Sequence, residues 1–314
     1  MSKGTIVHSH SFNCGGMGDF FRSLISFSIL CIQHDVEFRI NLDHNPLFRE
    51  SFSISKLHEG ILSGDLEYRK NIDGLIGNPG KEFIQDVISQ AIDSGNPQVV
   101  FSNCAILGEH SVIRSGVDAL NSFFGPSELT RSKIEYLFQK HHLVPGAFTS
   151  FHLRCGDRFM DRRFSLRRFK GVSKDDRVGS FDEAIKKYTD LLVNLAEASS
   201  EDSVLLIHSD SIEFKIELKK KLDRNRHRDK FIFFDIEPQH THSEHGEYTV
   251  ESFANTVAEF YIMATANAIY MPVYSGFSHL AAVLGDVQLY GPETTKKWQE
   301  EFMFNFGLSN LSKI

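Results

Sequence analysis

Apolar positions along this chain follow two rhythms, and the two alternate. Short apolar runs occur at Thr5–Val7, Val36–Ile40, Val99–Phe101, Phe148–Leu153, Val204–Ile207, Phe231–Phe234, Ala268–Met271 and Val287–Tyr290. Runs of that length read as buried strands. Between them apolar residues recur at threes and fours. Phe181, Ala184, Ile185, Tyr188, Leu191, Leu192 and Leu195 share one helical face, behind Ser180 and Glu183 at the spacing of a capping box. Phe253, Val257, Phe260, Tyr261 and Ala264 repeat the pattern. Alternating strands and helices predict an α/β architecture with parallel sheets.

The chain has 314 residues, enough for one two-lobed protein or two ordinary domains. The pattern breaks at His141-His142-Leu143-Val144-Pro145-Gly146, where a helix ends and Pro-Gly follows. This predicts a first lobe over 1–145 and a second over 146–291. Over 292–314, the stretch from Pro292 through Trp298 to Phe306 reads as a helix packing back on the first lobe. There is no internal repeat and no low-complexity tract. Two α/β halves around a cleft suit a ligand that needs two walls.

Composition narrows the partners. A net charge of -7 argues against a general nucleic-acid binder, which needs surplus Lys and Arg to displace counterions. Cys14, Cys31, Cys104 and Cys155 form neither a CxxC pair nor a zinc spacing, so a reduced, cytoplasmic protein is expected. The first residues lack the pattern of a secretory leader. The longest uncharged stretch, Ser23 to Gln33, is too short for a membrane span. No transmembrane segment is therefore expected. Oligomeric state leaves no mark on the sequence.

Four segments carry candidate chemistry. In Asn13-Cys14-Gly15-Gly16-Met17-Gly18-Asp19-Phe20, glycines between the first strand and a helix let backbone N–H groups approach an anion. A tight turn that only needs small residues is an equal reading. In Phe148 through Arg158, an apolar strand runs into His152, Arg154 and Asp157 at its carboxyl end, where open α/β sheets bind ligands. Arg154 has the planar fork that matches paired phosphate oxygens, with a plain Arg154–Asp157 ion pair as the lesser alternative. The run Arg162, Arg163, Arg167, Arg168 and Lys170 that follows is either a solvated face or a lure for an anionic ligand.

Leu205 through Ser211 repeats the strand-to-polar pattern, and Ser209 or Asp210 is expected to cap the helix starting near Ile212. Ser275, Gly276 and Ser278, behind Glu259 and the helix around it, form a second small-residue turn with free N–H donors. A helix cap competes with that reading. His240, His242 and His245 lie in a loop without the spacing that fixes a coordination geometry, and no Asp-x-Asp pair is evident, so no metal requirement is expected.

In this order the motifs resemble the fucosyltransferase superfamily that includes the α1,2-, α1,6- and protein O-fucosyltransferases and the bacterial nodulation fucosyltransferases. Gly15-Gly16-Met17-Gly18-Asp19 resembles the family's GGLGN motif, with Asp19 in place of Asn. Phe124-Gly125-Pro126-Ser127 is similar to its Phe-x-Pro lead-in. His152-Leu153-Arg154-Cys155-Gly156-Asp157 matches His-x-Arg-Arg-x-Asp except at Cys155. Ser209-Asp210-Ser211 resembles Ser/Thr-Asp-Asp without its last Asp. Ser275 through Ala282 matches Ser-Ser-Phe-Ser-Trp-Trp-Ala-Ala in most positions.

The resemblance implies a GT-B fold, two Rossmann-like lobes facing a central cleft, with a GDP-sugar donor, inversion at the anomeric carbon, and no metal or further cofactor. Arg154 would then bind the donor diphosphate and His152 the guanine nucleotide. Arg158, or one of the arginines that follow it, would stand in for the second arginine, and Ser209 and Asp210 would lie at the same strand edge. Glu259 takes the place of a family Asp that recognises the base. Ser275, Gly276, Phe277 and Ser278 would hold the phosphates, and Gly16 and Gly18 would close the cleft from the other lobe. The acceptor would be a glycan hydroxyl, with Asp157 or Asp19 as base.

Arg154 also has a rationale of its own. Negative charge grows on the departing diphosphate, so a fixed cation there stabilises the transition state more than the ground state. Two other readings stay open. Cys155 and Glu259 both sit in the donor motifs, which leaves room for another nucleotide sugar, and the missing second arginine leaves room for a binding protein whose catalysis has lapsed.

Overall fold

The computed structural model describes residues 4–10, 16–60, 66–71, 75, 78–104, 110–154, 181–236, 249–272, 275–291 and 308–310. Cys14, Cys155, Asp157, Arg158, Ser180, the Arg162–Lys170 run, His240, His242, His245 and the Pro292–Phe306 stretch lie outside the described residues.

The first sheet is built from β1 (Thr5–Ser9), β2 (Glu37–Asn41), β4 (Glu67–Asn71) and β5 (Gln98–Ser102), all parallel, in the order β2-β1-β5-β4. Helices α1 (Met17–Gln33), α3 (Asn78–Ser94) and α4 (His110–Asn121) belong to the same half. A two-stranded antiparallel ribbon, β3 (Phe52–Ile54) with β6 (Phe124–Pro126), stands beside it with α2 (Pro46–Ser51) and α5 (Glu128–Lys140). β4 escaped the reading of apolar runs because its sequence, EYRKN, is polar. It is an edge strand, where charged side chains discourage further pairing. Its Arg69 pairs with Asp86 and bonds Gln90 on α3 instead.

The second sheet holds β7 (Phe148–Leu153), β8 (Val204–Ser209), β9 (Phe231–Phe233), β10 (Ala268–Tyr270), β11 (Gln288–Gly291) and β12 (Leu308–Asn310). All are parallel, in the order β12-β11-β10-β7-β8-β9. Helices α6 (Phe181–Ala198), α7 (Ile212–Leu222), α8 (Val250–Met263) and α9 (Gly276–Gly285) complete this half. Renumbered within the sheet, this is the doubly wound order in which the chain reverses direction between its first and fourth strands. Here those strands are β7 and β10, and the crevice at their carboxyl ends is the topological switch point. The chain's final segment departs from expectation at 308–310. Those residues extend the second sheet as β12 rather than continuing a helix on the first lobe.

One apolar cluster runs through both halves, and a second lies within the second half, between β7, β8 and β9 and helices α6 and α7. The seam of the shared cluster is aromatic. Phe21 of α1 lies 5.0 Å from Phe260 of α8, centroid to centroid, and Phe48 of α2 lies 5.0 Å from Phe253. Phe260 in turn meets Phe277 of α9 edge-on at 5.2 Å. Each ring buries about 150–250 Å², so the seam anchors α8 and α9 against the first half. At the far end of α9, a side chain at Gly285 would come within 1.8 Å of the Ala264 carbonyl oxygen. Only glycine admits that approach of α9 to the end of α8.

Candidate functional site

The carboxyl ends of the strands set the site. The register puts His152 beside His208 and Leu153 beside Ser209, so β7 and β8 deliver their last polar residues to one edge. Arg154, half-buried, follows directly. From the next loop, α9 begins at Gly276 with Ser275 as its N-cap residue. His152 Nδ1 and Ser278 Oγ are hydrogen-bonded at 2.5 Å, which ties the end of β7 to the first turn of α9. The His152 and Phe277 ring centroids are 5.5 Å apart. His152 at the end of β7 thus meets Phe277 and Ser278 in the first turn of α9, with Arg154 next in the chain and Ser275 and Gly276 at the start of that helix.

The first half meets this crevice through α1. A side chain at Gly18 would make ordinary contact with α9, 3.5 Å from the Gly276 carbonyl carbon and 3.7 Å from Leu280. The first turns of α1 and α9 therefore pack against one another. At neither end does the N-cap residue's own side chain close the first turn, although at α1 the carboxylate of Asp19, in the first turn, accepts from the Gly16 amide. The N-cap residues are Gly16 for α1 and Ser275 for α9, and neither makes a side-chain cap hydrogen bond. Ser275 thus stands at the N-cap position of α9 without a side-chain cap bond. Asp19 accepts from the Gly16 amide at 3.2 Å and from Arg22 at 2.9 Å, and Arg22 also reaches the Asn103 carbonyl. Both contacts are local to the turn.

The cap expected of Ser209 or Asp210 falls instead to Ser211, whose Oγ accepts from the Phe214 amide at 3.2 Å. Ser209 Oγ accepts from the Ser211 amide, an ordinary turn contact, because its side chain belongs to the last residue of β8. Asp210 stays close enough to act on His152 electrostatically.

A buried polar cluster adjoins this edge. Glu259 of α8 is 4% exposed, with Oε1 3.7 Å from His208 Nδ1 and 3.8 Å from Lys215 Nζ. His208 Nε2 lies 3.4 Å from Ser150 Oγ. Lys215, 3% exposed, donates to the Phe234 and Ile236 carbonyls at 3.2 and 2.9 Å. Burial pushes the Glu259 carboxyl upward, but Lys215 and His208, with help from His152, outweigh it and hold the group below the usual carboxylate value. Burial lowers His152 to about 4, with Asp210 and Glu259 opposing and His208 and Arg154 assisting. His152 is therefore neutral at physiological pH and serves as a hydrogen-bonding group, not a charge.

Sequence reading missed Lys215 and the part played by His208. The signal for Lys215 was present. Phe214, Leu218 and Leu222 form the apolar face of α7, and Lys215 lies on that face, apart from the solvated Lys219, Lys220 and Lys221. A lysine among apolar neighbours at helical spacing marks a buried charge that needs a partner. Among the described residues no group of three or more His, Cys, Asp or Glu is arranged to hold a metal ion. No helix among them is long and apolar enough to cross a membrane.

This architecture has solved counterparts. NodZ α-1,6-fucosyltransferase co-crystallised with GDP, an enzyme also solved from Bradyrhizobium, is 14% identical; the match covers 90% of this chain and 93% of that one, with a TM-score of 0.54. An Arabidopsis thaliana FUT1 mutant in complex with GDP is 11% identical over 92% of this chain and 71% of its own, TM-score 0.56. POFUT1 in complex with GDP-fucose is 12% identical over 91% and 95%, TM-score 0.51. No protein-family model and no curated protein sequence matches the chain. The likeness establishes a shared fold, the two-sheet α/β arrangement expected of a GT-B protein.

Proposed function

We propose that this chain is a cytoplasmic, inverting glycosyltransferase that moves fucose from GDP-fucose to a glycan hydroxyl without a metal. One observation carries the reading. At the switch point of the second sheet, His152 bonds Ser278 in the first turn of α9, Arg154 comes next in the chain at the end of β7, and α1 packs against the start of α9 at Gly18. The N-terminus of α9, with no side-chain cap from Ser275, and the Arg154 guanidinium suit a diphosphate. The solved proteins that share the fold are fucosyltransferases with GDP or GDP-fucose bound, which supports that donor for this chain.

In this mechanism the sugar–phosphate bond breaks as the acceptor oxygen attacks from the opposite face. Arg154 and the helix N–H groups stabilise the charge that accumulates on the leaving diphosphate. Gly16 and Gly18 bring the α1 backbone close to it. Glu259 receives the N–H edge of guanine, with His152, Ser209 and Asp210 along the same strand edge. Asp19 has its carboxylate engaged by Gly16 and Arg22. We therefore assign the acceptor proton to Asp157, from its place in the sequence, and the role of the missing second arginine to Arg158.

Thermal shift with GDP, UDP and ADP, followed by donor-hydrolysis and transfer assays, tests the proposal. Selective stabilisation by GDP and turnover of GDP-fucose, with an anomerically inverted product and undiminished rate in chelator, are expected. Selective stabilisation by UDP would replace the donor, and no response to any nucleotide would leave a lapsed binding protein. Strict dependence on an added divalent ion would refute the metal-free reaction.

A further inference from the structure

Lys215 is costly where it is. A buried ammonium must recover its lost hydration, and a buried ion pair contributes little net stability compared with apolar residues of similar size. Its neighbours on α7, Phe214, Leu218 and Leu222, are all apolar and buried, so a methionine would complete that face. Yet its ammonium is well provided for. Two of its three N–H donors meet the Phe234 and Ile236 carbonyls, leaving one for the Glu259 carboxylate 3.8 Å away.

Glu259 is not satisfied in the same way. Its Oε1 is buried and accepts no hydrogen bond from the described residues. An ionised carboxylate offers about four lone-pair sites and accepts paired N–H donors well. Guanine presents two adjacent N–H groups on one edge, whereas adenine and uracil do not. The groups that act on Glu259 are Lys215 on α7, His208 on β8 and, only where it is protonated at acid pH, His152 on β7; none comes from α2, α5 or α9 among the described residues.

We propose that Lys215 is a positioning residue for base recognition: it keeps Glu259 ionised and in place, so that selection of guanine depends on a lysine that does not touch the nucleotide. This rests on the reading above that Glu259 meets the base of the donor.

The test is the ratio of GDP to ADP affinity, measured by titration calorimetry between about pH 6 and about pH 8.5; the ratio cancels effects common to both diphosphates. In the unaltered protein GDP is preferred and the ratio is flat with pH. In Lys215→Met the buried carboxyl loses its cation and takes up a proton near neutrality, so the ratio falls about tenfold or more at pH 7 and recovers as pH rises. A Lys215→Met protein with the original ratio at every pH would overturn the role. If that variant does not fold, Lys215→Met combined with Glu259→Gln removes both charges. A reduced, pH-independent ratio is then expected, and an unchanged one overturns the proposal. Absence of any GDP preference in the unaltered protein would instead remove the donor reading, and this inference with it.

Discussion

Six helices have a described N-cap residue, and they fall into two kinds. In α2, α5, α7 and α8 the side chains of Asn45, Ser127, Ser211 and Thr249 accept from an amide in the first turn. In α1 and α9 the N-cap residues, Gly16 and Ser275, make no such bond. A side-chain cap uses up a donor that the helix leaves orphaned, and its absence keeps that donor for something else. These two helix starts also pack against each other, at Gly18 and Gly276. Ends closed by their own N-cap side chain serve the fold; the other two are the ends that the proposed function assigns to the donor diphosphate.

The largest expected effect comes from Arg154, the cation that directly follows β7. Arg154→Ala should lower transfer by about 10²–10³-fold, corresponding to about 2.7–4 kcal/mol of transition-state stabilisation, while the melting temperature holds. Full activity in that variant would end the assignment of the site. Measuring kcat/KM beside a melting curve separates the two outcomes.

Next comes acid sensitivity. His152, bonded to the first turn of α9, titrates at about 4, and His8, buried in β1 with Nε2 2.8 Å from Ser23 Oγ, at about 3; burial is the main cause for both. Both values lie below the 6.5 of an exposed histidine, so the unfolded chain binds more protons than the native one in between. Stability is then fully present above pH 6.5 and falls as pH drops toward 4 for His152 and toward 3 for His8. Urea midpoints measured down that range should decline steadily, and a flat profile would contradict the buried neutral state.

Smaller effects probe the caps directly. Thr249→Ala should cost about 1 kcal/mol in denaturant titrations and leave GDP affinity unchanged. Gly18→Ala and Ser275→Ala should change stability by less than about 0.5 kcal/mol, since the first meets only ordinary contacts and the second removes no cap. Both should weaken GDP binding. A stability loss at Ser275 as large as that at Thr249 would erase the distinction between the two kinds of helix end.

Strand and helix periods, glycine turns and the order of the motifs are local properties, and they were legible residue by residue. β7 runs over the same Phe148–Leu153 read from its apolar run, and α8 carries the expected face from Phe253 to Tyr261. His152, Arg154 and Ser275 through Ser278 stood out because strand ends and small-residue turns have recognisable compositions. Local pattern was silent wherever a residue answers to a distant partner. The edge strand β4 is polar because its side chains pair with α3; Ser211 rather than Ser209 caps α7 because the last residue of β8 belongs to the sheet. Lys215 meets Glu259 across forty-odd residues of chain, and Gly18 meets Gly276 across most of it. Such pairs exist only once the aromatic seam has brought α1, α8 and α9 together, because burial and charge pairing depend on three-dimensional distance, which sequence spacing does not carry.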